Sequence, residues 1–188
     1  MSASPRQQLL ELLQHGPRGS ASQAGDRVRE LILELEAGQP ADLQAAGAPE
    51  LLEGVWELRW SSSRQPYLAT TPWLENLQLL APSRGLALNL LRLAGPLGPL
   101  AGVAVEARIR IVTDRRVEVC FQRGGWLGPR LGSSRLQLLR TVQQPFPAWL
   151  DITVLDQDLR VCRGNAGTLF ALVRRGDLSL ADLWPGPF

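Results

Sequence analysis

The residues of this chain best suited to chemistry are carboxylates and guanidinium groups near its C-terminal end. Asp151, Asp156 and Asp158 lie close together, and Arg160 follows them. Paired carboxylates could act as the acid and base of a hydrolase, and clustered ones could bind calcium. Calcium needs roughly six to eight oxygen ligands at defined loop positions, which this stretch does not provide. The pattern therefore favours turn capping and salt bridging to Arg160 over catalysis.

Other catalytic groups are scarce. His15 is the only histidine and precedes a helix-ending Gly-Pro pair, so no Ser-His-Asp or Cys-His arrangement can form in the rest of the chain. Cys120 and Cys162 are the only cysteines and lack CxxC spacing, so buried thiols are favoured over zinc ligands and over a single disulfide. No Walker-type or dinucleotide-binding glycine motif occurs. We therefore predict a protein that is not an enzyme and has no metal or cofactor.

The composition describes a folded protein without strong charge. Of 188 residues, 45% are hydrophobic and 20% charged, which provides a core and argues against disorder. All twenty basic residues are arginine, but the net charge is only +2, so nucleic acid is not an expected partner. The N-terminus lacks a secretory signal, and the longest apolar run, residues 93–105, contains prolines and is too short to cross a bilayer. We expect a soluble or peripheral protein.

Two helices are predicted in residues 1–40. Ser4 begins a capping box with a proline at the first helical position. A second capping-box pattern begins at Ser20. Behind it, apolar residues recur with helical spacing at Val28, Leu31, Ile32 and Leu35. Residues 38–50 are predicted to be a linker.

From Leu51 onward the apolar period changes to two, which is typical of strands with one buried face. Eight short strands are predicted, at residues 56–60, 86–90, 103–111, 117–121, 136–142, 152–155, 159–161 and 168–173. Such strands favour an antiparallel barrel or sandwich, and closure into a barrel would remove exposed edges. We therefore expect a mainly β fold, with residues 51–188 forming one barrel domain after the helical segment 1–40. An eight-stranded barrel can hold one small ligand, but the period does not distinguish a hollow barrel from a filled one.

Several motifs along the chain carry a family resemblance. The most specific is the C-terminal block at residues 149–174, which contains Gly164, Asn165 and Gly167. The other matching segments are an L-x-G-x-W-x-L opening strand at residues 52–63, a Q…N block from Asn76-Leu-Gln78 to Asn89, and an R-V-x-V-x-F strand at residues 116–121. In this order they resemble the plastid lipid-associated protein family, also called plastoglobulins or fibrillins. The chain departs from the family pattern where Trp60, Ser61 and Val154 replace the usual Tyr, Thr and Tyr.

The resemblance implies a fold, a location and a function. The fold is a lipocalin-like β-barrel associated with thylakoid membranes or lipid globules. The function is the binding or buffering of hydrophobic molecules such as carotenoids, quinones and lipids, in support of photoprotection. Because no transit peptide is visible, the resemblance suggests a cyanobacterial-type member on the cytoplasmic side of the thylakoid membrane.

Structural roles are expected for the motif residues. In lipocalin-like barrels a first-strand Trp often closes one end beneath an Arg from the last strands. If Leu159 and Val161 face inward, Arg163 shares their face, and we predict that it stacks on Trp56 and contributes about 1–2 kcal/mol. Gly164-Asn165 is predicted to form a positive-φ hairpin turn. The full structural set is Gly54, Trp56, Asp151, Asp156, Arg160, Arg163, Gly164, Asn165 and Gly167.

Ligand and membrane contacts are assigned to apolar positions. The inward faces predict a cavity lined by Trp60, Trp73, Leu88, Ile109, Phe121 and Phe170; the same residues could instead form an ordinary core. Two Gly/Pro-rich loops present apolar side chains beside arginines, and they predict contact with a membrane interface through Leu97, Leu100, Trp126 and Leu127. Alternatively, Trp126 folds back and plugs the barrel.

Three functions compete for this fold. The favoured one is a non-enzymatic carrier of hydrophobic small molecules with peripheral membrane contact. The second is a scaffold with a filled barrel that binds a partner protein through an outward-facing helical stripe, the one that contains Val28 and Leu31. The third is a lipocalin-like lyase that attaches bilins, for which the barrel offers no histidine.

Overall fold

A closed antiparallel β-barrel forms the body of the protein, as the strand pattern predicts. The computed structural model describes residues 3–63, 65–68, 70–132, 134–143 and 148–184. In these ranges the strands are β1 (Gly54–Ser61), β2 (Leu74–Ala81), β3 (Leu86–Leu93), β4 (Gly102–Ile111), β5 (Arg116–Leu131), β6 (Ser134–Thr141), β7 (Ala148–Leu155), β8 (Leu159–Gly164) and β9 (Leu169–Arg174). The mainly β fold with helices at its N-terminus is therefore confirmed.

The barrel closes through eight of these strands. β1 to β5 pair in sequence order, the first residues of β5 pair with β7, and β7, β8, β9 and β1 complete the ring. β6 pairs only with the second half of β5. The hairpin of β5 and β6 therefore extends the sheet beyond the ring.

Two strand predictions are wrong. The Gly/Pro-rich segment that contains Trp126 and Leu127, predicted to be a loop, belongs to β5, because it pairs with β4 and β6. A register shift between Leu127 and Arg130 accommodates Pro129, since proline in a sheet is tolerated at such irregularities. Strand β2 was missing from the predicted set, although its Asn76–Gln78 segment belongs to the resemblance.

Four α-helices flank the described strands: α1 (Pro5–Gln14), α2 (Gly25–Gly38), α3 (Ala48–Leu52) and α4 (Leu180–Leu183). The Ser4 capping box of α1 is present, and the Ser4 hydroxyl accepts from the Gln7 amide. The second predicted cap is wrong, because Ser20–Ala24 forms a 3₁₀ turn and α2 starts at Gly25.

The helical stripe of α2 faces the barrel. Val28, Leu31 and Ile32 are completely buried, in one cluster with residues of α1, β8 and β9. The scaffold hypothesis needs this stripe to face outward, so the structure contradicts the hypothesis in that form.

A second apolar cluster covers the opposite outer wall. Leu183 and Trp184, after the last strand, pack there against outward residues of β1 to β5, namely Val55, Leu77, Leu79, Leu88, Leu90, Ala104 and Leu127. A large part of the barrel wall is therefore apolar on both faces. Apolar residues on several strands therefore face outward.

A buried ion cluster joins the chain ends to the outer wall. Arg175 lies 2.9 Å from Glu57 and 3.0 Å from Glu75, Arg92 lies 2.7 Å from Glu75, and Arg18 pairs with both carboxylates. Burial alone would raise the pKa of Glu75. Hydrogen bonds from Arg175 and Arg92 outweigh this effect and hold the pKa below its usual value.

The barrel has two different ends. The closed end carries the short β2–β3, β4–β5 and β7–β8 turns together with α3. The open end carries the longer connections after β1 and β3 and the turn between β8 and β9. Because the strands alternate in direction, each one begins at one end and finishes at the other.

Candidate functional site

The barrel encloses a cavity of about 390 Å³, which lies in the size range of small-molecule sites. Strands β2 to β5 and β7 to β9 all contribute to its wall, and Ser63, Gln65, Leu68 and residues of the β8–β9 turn reach it from the open end. The cavity is hollow partly because Ala87 and Ala107 face each other across β3 and β4. Larger residues at these positions would fill this part of the interior.

A tryptophan held by two arginines lies at the closed end. The Trp56 side chain is fully buried and donates from Nε1 to the Leu52 carbonyl at 2.9 Å. The Arg174 guanidinium lies 4.3 Å from the Trp56 ring centre and that of Arg160 lies 5.2 Å from it. Arg174 also donates to backbone carbonyls of Glu53 at 2.8 Å and of Leu51. These contacts close the barrel beneath the cavity.

Gly54 allows this arrangement. Its φ of +133° is one that side chains rarely adopt, and a Cβ atom there would come within 2.5 Å of Arg174 Nη1. A side chain at this position would therefore clash with Arg174, which explains the glycine of the family motif.

Polar side chains line the deep part of the cavity. Arg160 is 1% exposed, and its guanidinium donates to the Gln78 side-chain oxygen. Asn89 lies opposite Gln78 across β2 and β3 and also lines the cavity. Burial lowers the pKa of Arg160 and raises the pKa of the Cys162 thiol beside it. An arginine nevertheless stays protonated at neutral pH, so the cavity contains a fixed positive charge.

The open end is less buried. Trp149 lines the cavity there, with the Arg116 guanidinium 4.1 Å from its ring centre. The Trp149 amide donates to Asn165 Oδ1 at 3.0 Å, which ties the start of β7 to the β8–β9 turn. Among the described residues this side therefore offers a partly exposed rim.

Ile109, Phe121 and Phe170 line the cavity, whereas the other three cavity candidates lie elsewhere. Leu88 packs in the outer cluster with Trp184. Its strand is apolar on both faces, and the inward positions are held by Ala87 and Asn89. Alternation identifies two faces but does not say which is inside.

The two tryptophan candidates fail for other reasons. Trp73 lies before β2 and is 65% exposed. Trp60 packs beneath the helices in the cluster with α1 and α2. A register shift between Leu58 and Trp60 inserts one residue into β1, and such a bulge reverses the facing of the residues beyond it.

The predicted stacking of Arg163 on Trp56 is wrong. Arginines from the last strands do stack there, but they are Arg160 and Arg174. Leu159 and Val161 face outward, beneath the helices. Arg163 shares that outer face and donates from Nε to Glu36 of α2 at 2.9 Å. The inward residues of β8 are therefore Arg160 and Cys162.

The three aspartates do not bind Arg160 either. Asp151 accepts from Arg116 at 2.7 Å. Asp156 accepts from Arg6 at 2.6 Å and from the amides of Asp158 and Leu159. The turn-capping role is therefore present at Asp156, while the salt bridges use other arginines.

The β8–β9 turn has its positive φ at Gly167, with φ +73°, and not at Gly164 or Asn165. The Gly167 amide donates to the Gly164 carbonyl at 2.8 Å. Gly164 lines the cavity, where a Cβ would come within 3.2 Å of the Phe170 ring.

Three of the four membrane-contact candidates are exposed. Leu97, Leu100 and Trp126 are 54%, 52% and 42% exposed, whereas Leu127 is fully buried in the outer cluster. Trp126 does not line the cavity. Across the described ranges, no helix combines the length and the apolar character that crossing a bilayer requires.

Residue types alone missed the polar part of the cavity. Gln78 and Asn89 were visible only as motif letters of the resemblance, and Arg174 only as one of two adjacent arginines. Gln78 and Asn89 share one register position across β2 and β3, which gives the Q…N block a physical meaning. Within the described ranges, no three His, Cys, Asp or Glu residues group as a metal site.

The chain is similar to known proteins of one family. The PAP_fibrillin profile matches residues 3–173. Plastid lipid-associated protein 3 of Brassica campestris is 29% identical, over 85% of this chain and 58% of its own. The light-induced protein of Solanum tuberosum is 26% identical, over 91% and 67%. Plastoglobulin-1 of Pisum sativum is 26% identical, over 86% and 57%. All three are chloroplastic by name.

The chain spans less than two thirds of the Brassica and pea relatives. No solved structure gives a significant match. Because the family profile covers most of the sequence, including the barrel strands up to Val173, the chain belongs to the PAP_fibrillin family.

Proposed function

We propose that this protein binds and buffers a hydrophobic small molecule, namely a carotenoid, quinone or lipid, inside its barrel without catalysing a reaction. The observation that carries the proposal is the cavity of about 390 Å³, whose wall is mostly apolar and whose rim is partly exposed. Burying apolar ligand surface there would supply roughly 25 cal/mol per Å².

The exposed apolar sheet beside the open end supports transfer from a membrane or lipid-globule surface. Val103 of β4 pairs with Trp126 of β5, which pairs with Leu138 of β6, so the three side chains share one face. They are 56%, 42% and 63% exposed. Leu93 lies on the same side as the cavity-lining Asn89, because the two are four residues apart on β3. We name Leu93, Val103, Trp126 and Leu138 the apolar apron.

The names of the relatives support the same setting. One is a plastid lipid-associated protein, one a plastoglobulin and one a light-induced protein. We therefore extend the proposal to a peripheral location on the cytoplasmic side of the thylakoid membrane or on lipid globules, with a role in photoprotection.

A filled-cavity variant tests the binding proposal. Ala107→Phe places a ring inside the cavity, whereas Arg108→Phe places the same ring on the exposed outer face. We expect Ala107→Phe to weaken binding of β-carotene, decyl-plastoquinone or a galactolipid tenfold or more, and Arg108→Phe to leave it unchanged. Co-elution in gel filtration and tryptophan quenching measure the binding. Absence of binding by the unmutated protein to all three probes would refute the proposal.

A further inference from the structure

Arg160, which lines the cavity, has no partner among the described residues that offsets the burial of its charge as fully as the partners of the other buried arginines do. Arg92 pairs with Glu75 at 2.7 Å, and Arg135 donates to the carbonyls of Gly128 and Leu183 at 2.9 and 3.0 Å. Arg160 is more buried than either. In the part of the chain that the structure describes, no carboxylate pairs with Arg160, and its Nε has no hydrogen-bond partner.

Such a group is expensive to bury. Burying an uncompensated ion strongly destabilises a protein, and a charge-assisted hydrogen bond to an anion is one of the strongest compensating interactions. The stacking of Arg160 on Trp56 at 5.2 Å offsets part of this cost. The unpaired Nε of Arg160 therefore remains in the buried wall of a cavity that is otherwise mostly apolar.

The surroundings of Arg160 suit one planar anion. Gln78 accepts from its guanidinium, and Asn89 lies opposite Gln78, so guanidinium and amide donors are close together. Arg174 lies over the same Trp56 ring, but its nitrogens donate to backbone carbonyls of Leu51, Glu53 and Gln157. A single available positive charge matches a carboxylate better than a dianionic phosphate.

We propose that the cavity takes an amphiphile with one carboxylate head, such as a long-chain fatty acid, and that Arg160 binds the carboxylate. The head would lie deep, beside Gln78 and Trp56, and the chain would run past Ile109 and Phe121 toward the open end. This inference rests on the proposed function and specifies its ligand.

Paired ligands and paired variants test it. Palmitic acid and methyl palmitate differ in charge but share the chain, and we expect the unmutated protein to prefer the acid by about 10- to 100-fold at pH 8. Arg160→Gln should remove the preference and leave binding of the ester nearly unchanged. Arg163→Gln is the matched control, because this arginine lies on the same strand but faces Glu36 outside. It should retain the preference.

A measurement on the unmutated chain covers the case in which Arg160→Gln does not fold. With palmitic acid labelled with ¹³C at the carboxyl carbon, the bound resonance reports ionisation. An adjacent guanidinium favours the charged form of a carboxylic acid. The ionisation midpoint of the bound acid should therefore lie about one pH unit or more below the midpoint of the same acid in phosphatidylcholine vesicles.

The outcomes separate this inference from the proposed function. Loss of the acid preference in Arg160→Gln alone, together with the lowered ionisation midpoint, supports the carboxylate site. Equal binding of acid and ester, with an unshifted midpoint, overturns the carboxylate site but leaves hydrophobic binding intact. Failure to bind either molecule, or any of the three neutral probes above, overturns both.

Discussion

Two tryptophans, Trp56 at the closed end and Trp149 toward the open end, each stack with an arginine, but their surroundings differ. At the closed end Trp56 is fully buried, and Arg174 lies 4.3 Å from its ring centre. At the start of β7, the Arg116 guanidinium of the neighbouring strand β5 lies 4.1 Å from the Trp149 ring centre, and the Arg116 side chain is 43% exposed. Such a contact contributes about 0.5–1 kcal/mol when exposed and about 2 kcal/mol or more when desolvated. The Trp56 contacts are therefore expected to stabilise the fold more than the Trp149 contact does.

Removing each tryptophan tests this difference most strongly. Trp56→Ala should lower the free energy of unfolding by about 4 kcal/mol, because a fully buried ring, its hydrogen bond and two arginine contacts are lost. Trp149→Ala should lower it by about 1 kcal/mol. Urea unfolding measures both. Equal losses would contradict the assignment of the two ends.

Removing a carboxylate from the buried ion cluster tests how strongly this cluster stabilises the barrel wall, compared with a turn at the closed end. Glu75→Gln should lower the free energy of unfolding by about 3 kcal/mol at pH 7, because three arginines lose a buried charge partner. Asp156→Asn, in a closed-end turn, keeps an acceptor for the turn amides but loses the charge paired with the partly exposed Arg6, and should lower it by about 1 kcal/mol.

The acid dependence of the same variants has a definite sign. The pKa values of Glu75 and Asp156 are lowered in the folded protein. Their stabilisation is therefore fully present above the unfolded values, about pH 4, and is lost as pH falls through the lowered values. Below about pH 4 the unmutated protein should lose stability more steeply than Glu75→Gln. Parallel pH profiles of stability would refute the role of Glu75.

Glycines at the two ends offer a smaller contrast. Gly54→Ala should lower the free energy of unfolding by about 2 kcal/mol, because φ is +133° and the new Cβ meets Arg174. Gly167→Ala, at φ +73° with open space around it, should lower it by about 1 kcal/mol. Thermal and urea unfolding give the values. A larger effect at Gly167 would reverse the expected order.

The smallest effect is expected at the rim. Asn165→Ala removes the acceptor of the Trp149 amide and should lower the free energy of unfolding by about 0.5 kcal/mol. It should also speed hydrogen exchange at that amide several-fold, whereas Asn165→Asp, which keeps an acceptor oxygen, should not. Unchanged exchange in Asn165→Ala would mean that this bond does not order the rim.

The sequence predicts the local structure well where one face of an element is buried. The Ser4 capping box and the α2 stripe are present because each is specified by neighbouring residues. Antiparallel strands with one apolar face also lead correctly to a barrel. The family motifs add Gly54, whose role depends on an arginine 120 positions away.

The facing of several strands could not be predicted because helices and the C-terminal segment cover the outer wall. On β8 the apolar Leu159 and Val161 face the helices, and the charged Arg160 faces inward. On β3 Leu88 lies outside and Asn89 inside. On these two strands the more hydrophobic residues therefore lie on the covered outer face, and the polar ones line the cavity. The bulge at Trp60 adds a reversal that the spacing of residues does not reveal.

The most direct test of the central claim is mass spectrometry of an organic extract from protein purified out of a photosynthetic host. The Ala107→Phe variant, purified in parallel, controls for molecules that adhere to the apolar apron. We predict a stoichiometric carotenoid, quinone or lipid in the unmutated protein and a strongly reduced amount in the variant. An empty extract, or equal amounts in both proteins, would contradict binding inside the barrel.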